Sequence, residues 1–115
     1  MPTTELERQI DGFEALTQNP NWDDEHGRRI PPDLWQTARN VCTEMTSKSL
    51  PPVFIGPSGD GTIHIKWRNQ RSHKFLLELG RNSYEWSFTD RDGRRVYDRS
   101  ETLSGALEAL QERLL

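Results

Sequence analysis

Four side chains far apart in the sequence, His64, Glu78, Glu85 and Tyr97, are of types that carry protons or bind ions. They matter only if strands bring them together. Apolar residues alternate at Ile63, Ile65 and Trp67, at Phe75, Leu77 and Leu79, and at Tyr84, Trp86 and Phe88. Alternation sends successive side chains to opposite faces, so His64, Lys66 and Arg68 lie opposite the apolar set. The apolar sets must share a face, which a three- or five-residue first loop allows, and the longer one puts His64 opposite Glu78. Matching Leu79 with Tyr84 puts Glu78 opposite Glu85, and a five-residue loop at 89–93 puts Tyr97 opposite Glu85. The expected row reads His64, Glu78, Glu85, Tyr97, with opposed side chains ~5 Å apart. Two carboxylates that close perturb each other and suit acid/base work or cation binding.

Other features argue that this row is not a reaction centre. The large apolar side chains belong to the other face, leaving no wall to desolvate the carboxylates. Lys66, Lys74 and Arg95 stand near enough to neutralise them, and catalysis favours a concave site. No catalytic residue, metal ligand or cofactor is therefore expected. The polar face reads as a partner-binding surface formed by His64, Lys66, Arg68, Lys74, Glu78, Glu85, Arg95 and Tyr97. Asp23-Asp24-Glu25-His26 has metal-ligand types, but consecutive loop residues rarely converge on one ion, and Arg28 and Arg29 follow. An Asx-type turn pinned by Trp22 against the core fits better. His64 and His73 fall on opposite faces by parity. Phosphate-loop, nucleophile-elbow, His-Glu-x-x-His and Cys-x-x-Cys motifs are missing.

The elements that hold the row follow from periodicity and punctuation. Thr4-Glu5-Leu6-Glu7 has the capping-box form, and Leu6, Ile10, Phe13 and Leu16 predict a helix over 5–17. Asn19-Pro20-Asn21 stops it, and 18–31 is a polar loop. Pro31-Pro32-Asp33 opens a second helix, whose stripe of Leu34, Trp35, Ala38, Val41, Cys42 and Met45 runs to about Ser47. Cys42, the single cysteine, reads as a small buried hydrophobe. After Pro51-Pro52 the period changes to two, with strands at 53–55, 63–68, 75–79, 84–88 and, more weakly, 94–98. Ser100 is the expected cap of a last helix bearing Leu103, Ala106, Leu107, Leu110 and Leu114. The expected class is α+β: two N-terminal helices, a four- to five-stranded antiparallel meander and a C-terminal helix, with helices on one sheet face.

At 115 residues one domain over 1–115 is expected. No apolar run reaches the ~20 residues of a membrane span, and the first residues lack a signal peptide's basic and apolar regions, so a cytoplasmic protein is expected. The net charge of −3 argues against bulk nucleic-acid binding but hides an asymmetry. Residues 1–47 hold nine acidic and four basic residues, whereas 64–99 hold nine basic and five acidic. Either acidic helices balance a basic sheet, or the basic segment faces an acidic partner. An RNA-binding sheet would need exposed aromatics, and only Tyr97 is expected on the polar side.

Asn21-Trp22-Asp23, Gly27, Ile30-Pro31-Pro32, Leu50-Pro51-Pro52, Pro57-x-x-Asp60-Gly61-x-Ile63 and Trp67 are spaced much as in a family of small bacterial proteins. The resemblance covers roughly 19–98, and the loop departs from the family pattern by two extra residues at Glu25-His26-Gly27. It implies this fold and a bacterial origin, and transfers no site residue. The function expected is a non-catalytic protein-interaction module, such as an accessory or antitoxin-like or immunity-like partner. The alternatives are a small enzyme using His64, Glu78 and Glu85, or a weak nucleic-acid-binding domain using Lys66, Arg68, Lys74, Arg94 and Arg95. A homo-oligomer is compatible with either class.

Overall fold

The computed structural model describes residues 5–19, 22–23 and 27–115. The expected Thr4 cap, the Pro20-Asn21 stop and Asp24, Glu25 and His26 of the acidic run lie outside them. The chain orders as α1 (Glu5–Leu16), α2 (Pro32–Ser47), β1 (Phe54–Pro57), β2 (Ile63–Arg68), β3 (Lys74–Leu79), β4 (Tyr84–Thr89), β5 (Arg95–Ser100) and α3 (Leu103–Leu114). The five strands form one antiparallel sheet in the spatial order β1-β2-β3-β4-β5. This is an α+β fold with β3 in the middle of the sheet.

Three of the four strand connections use one loop design. Loops 58–62, 69–73 and 90–94 each have five residues between paired positions. In each, the fourth residue's N–H donates to the first residue's carbonyl at 3.0–3.1 Å, and the first N–H donates to the fifth carbonyl at 2.8–3.0 Å. The fourth residue is left-handed: Gly61 (φ 89°), Ser72 (φ 63°) and Gly93 (φ 87°). This is a type I turn followed by a left-handed residue, a common short hairpin connection. Asn69 and Asp90, both first in their loops, lock them alike. Asn69 Oδ1 accepts from the N–H groups of Arg71 and His73, and Asp90 Oδ1 from those of Asp92 and Arg94, at 2.9–3.0 Å.

The third such loop begins at residue 90, one residue later than expected. Its register pairs Thr89 with Arg95, Ser87 with Tyr97 and Glu85 with Arg99. The expected opposition of Tyr97 and Glu85 is therefore wrong, although parity still leaves both on one face. β5 also runs on to Ser100, so Ser100 does not cap α3. Thr102 does, its side chain accepting from the Gly105 N–H at 3.1 Å.

One buried cluster joins Ile63, Ile65, Trp67, Phe75, Leu77, Leu79 and Trp86 of the sheet to Ile10 of α1, the α2 stripe and Ala106, Leu107, Leu110 and Leu114 of α3. Phe75 stacks on Trp86 with ring centres 5.3 Å apart, and Arg113 of α3 lies 5.2 Å from the Trp86 ring centre. Two indoles are anchored by hydrogen bonds. Trp35 Nε1 donates to Thr17 Oγ1 at 2.9 Å, and Trp67 Nε1 to the Leu50 carbonyl at 2.8 Å. Cys42 is buried, and its desolvation pushes the thiol up to about 11. Trp22 behaves differently from the expectation and does not join the core. Its Nε1 instead donates to the Arg28 carbonyl at 2.7 Å, Asp23 Oδ1 accepts from the Gly27 N–H, and the Arg28 N–H donates to the Gly59 carbonyl at 3.0 Å. No helix among the described residues is long and apolar enough to cross a membrane.

Candidate functional site

Pairing across the sheet arranges the polar face as three rows. The first holds Gly56, His64, Glu78, Glu85 and Arg99; the second Phe54, Lys66, Leu76, Ser87 and Tyr97; the third Arg68, Lys74, Thr89 and Arg95. All eight residues expected to form a partner surface stand on this grid. Six others share it, of which Leu76, Phe54 and Arg99 add apolar surface or charge that the sequence reading missed. Leu76 interrupts the polar set from within the unbroken run Phe75-Leu76-Leu77, which is the signal for an apolar residue on both faces. Phe54 sits beside the core residue Ile55, and Arg99 enters only with the corrected register.

His64 Nε2 lies 3.5 Å from Glu78 Oε1, an ion pair only when the imidazole is protonated. Glu78 is held above the usual carboxylate range. Desolvation is the largest cause, the neighbouring His64 opposes it, and a hydrogen bond with Glu85 adds to it. For Glu78 this departs from the expectation that no wall desolvates the row. Glu78 is on the central strand, and Leu76, Tyr97 and Arg99 join it and Glu85 in walling a shallow groove of about 400 Å³. Asp60, in the β1–β2 loop, is shifted the other way. The Thr62 hydroxyl donates to its carboxylate at 2.6 Å and holds it below the usual range.

The cations do not neutralise the row. Lys66 Nζ lies 4.9 Å from the Phe54 ring centre, and Arg95 reaches back over Tyr97, donating to its hydroxyl at 2.7 Å. Lys66, Arg68, Lys74, Arg95 and Arg99 make no ion pair within 4 Å of any described residue. The acidic helices spend charge on themselves: Arg39 of α2 binds Asp11 and Glu14 of α1 at 2.7 and 2.6 Å. The two exposed aromatics, Phe54 (46 % exposed) and Tyr97 (70 %), stand on the outer strands of the same face. Four inter-strand spacings separate them by roughly 19 Å.

Among the described residues no group of three or more His, Cys, Asp or Glu is placed to hold a metal ion. His73 packs edge-on against Phe88 with ring centres 5.3 Å apart, away from His64. The other five sheet aromatics of β2, β3 and β4 are not free to stack bases: Trp67, Phe75 and Trp86 are buried, and Tyr84 and Phe88 pack against the core. Chemically, the Glu78–Glu85 pair can hold one proton between two carboxyl groups, and the cations can take carboxylates. No protein-family model, curated protein or solved structure matches the chain. The functional reading therefore rests on this geometry.

The raised Glu78 pKa has a definite sign in stability. Between the ordinary carboxyl value and the raised one, the folded state binds more protons than the unfolded chain, so stability falls as pH rises through that window. Glu78→Gln removes the charge. The variant is expected to match wild type near pH 3 and to become the more stable of the two as pH rises from about 4 upward. Urea melts across that range check it, and a difference that does not change with pH would contradict a desolvated Glu78.

Proposed function

We propose that this chain is a non-catalytic protein-interaction module, an accessory or antitoxin-like or immunity-like partner in a bacterial cell, and that its polar sheet face is the docking surface. In this reading the helices close one side of the sheet and leave the other for a partner. The observation that carries it is five cations without an ion pair to any described residue, sharing one face with exposed Phe54 and Tyr97. Unpaired charge steers an acidic partner, and exposed aromatics with Leu76 between them supply the apolar contact that anchors one.

The test is affinity capture with wild type and with a Lys66→Glu/Lys74→Glu variant, whose circular dichroism should be unchanged because both sites are exposed. A protein retained by wild type and lost from the variant is the expected result. Nuclease-sensitive capture, with affinity falling steeply as salt rises, would make the surface a nucleic-acid interface instead.

The direct opposition of Glu78 and Glu85 in a groove favours one second reading, an acid/base enzyme. The geometry limits it. The groove is shallow and Glu85 is exposed, which leaves little to shield a reacting group from water.

A further inference from the structure

The two edges of the sheet differ. β1 is four residues long, includes Pro57 and follows Pro51-Pro52, and proline supplies no N–H to a neighbouring strand. β5 is six residues long and contains no proline, and Arg95 through Arg99 are all exposed. Every edge strand leaves half its backbone groups facing away from its one neighbour, and these form a template for another strand.

Side chains decide what that strand would be. On the polar face β5 presents Arg95, Tyr97 and Arg99 at alternate positions, and neither arginine has an ion pair with a described residue. A strand laid along β5 sets its own alternate side chains beside these three, at cross-strand contact distance. The complementary pattern is acidic, apolar, acidic. The groove lined by Leu76, Glu78, Glu85, Tyr97 and Arg99 adjoins this edge, and its Leu76–Tyr97 side gives the apolar side chain a place to reach. A second copy of this chain fits poorly, since antiparallel pairing centred on Tyr97 would set Arg95 directly against Arg99.

The geometry points to β5 as a strand-addition site for an extended acidic segment of another protein, with Glu or Asp flanking an apolar residue at alternate positions. It rests on the reading that this face meets a protein, and it names the partner's chemistry and the way it binds. Main-chain hydrogen bonds supply affinity in this mode, and alternate side chains supply specificity.

The probe is a short synthetic peptide with Glu, Leu and Glu at alternate positions, titrated into the labelled full chain and followed by amide NMR. Shifts and slowed hydrogen exchange are expected in β5. Affinity should fall about tenfold or more in Arg95→Glu/Arg99→Glu, whose fold is checked by circular dichroism. A peptide N-methylated at alternate residues, on the edge that meets β5, should not bind, whereas methylation on the other edge should be tolerated. Equal binding by both methylated forms would overturn strand addition. Shifts confined to Phe54, Lys66 and Leu76 would do the same while leaving face docking intact. Sedimentation showing a dimer paired through β5 would replace the acidic segment with a second copy, and no binding at millimolar peptide would dismiss the site.

Discussion

Trp35→Ala is expected to destabilise the fold by ~3–5 kcal/mol, the range for truncating a buried large aromatic. Trp35 is wholly buried and stacks on Phe13 with ring centres 6.1 Å apart. Its indole N–H also fastens α2 to Thr17, at the end of α1, whose carbonyl in turn accepts from the Ile30 N–H at 3.1 Å. One residue thus ties α1, α2 and the return of the 18–31 loop. Thr17 keeps its own donation to the Phe13 carbonyl, so Trp35→Phe should cost less, losing some area and a bond worth ~0.5–1.5 kcal/mol. Denaturant melts with an unchanged slope check both values. A loss below ~1 kcal/mol for the alanine variant would mean that the core closes over the gap.

Trp86→Ala is expected to cost a similar ~3–5 kcal/mol, because it removes the ring on which Phe75 stacks and over which Arg113 lies. The conservative variant separates the two tryptophans. Trp86 Nε1 is buried without a hydrogen-bond partner among the described residues. An unsatisfied buried donor carries a desolvation penalty of ~1–3 kcal/mol, which Trp86→Phe relieves while keeping most of the stack. Trp86→Phe should therefore be near neutral, in contrast to Trp35→Phe. A Trp86→Ala loss below ~1 kcal/mol would place the ring on the solvent side and reopen base stacking on the sheet.

The strand pairings that place the Glu78 row were legible because burial on one face makes register all-or-none. A one-residue slip would send Leu77 and Trp86 to solvent. That condition left a three- or five-residue first loop, the longer setting His64 against Glu78, and matching Leu79 with Tyr84 set Glu78 against Glu85; both pairings stand. It was silent at β5, where Val96 is the only large apolar residue and is 42 % exposed. A two-residue slip there keeps the faces and costs little burial, so parity could not separate Glu85–Tyr97 from Glu85–Arg99. The missed signal was in the turns. Asp90 and Gly93 stand at the same spacing as Asn69 and Ser72, and one loop design serves both.

By itself the sequence determined which residues face the core and which share the polar face, because the period of the apolar residues reports the period of the backbone. It also determined the two-period switch after Pro52 and the absence of familiar catalytic motifs. Tertiary structure alone decided the electrostatics of that face. Whether Lys66 neutralises a carboxylate or lies over Phe54, and whether Glu78 is solvated or walled in beside Leu76 and Tyr97, depends on side-chain directions across three or more strands. Those directions follow from twist, register and neighbouring volumes together, and no local stretch of sequence encodes their sum.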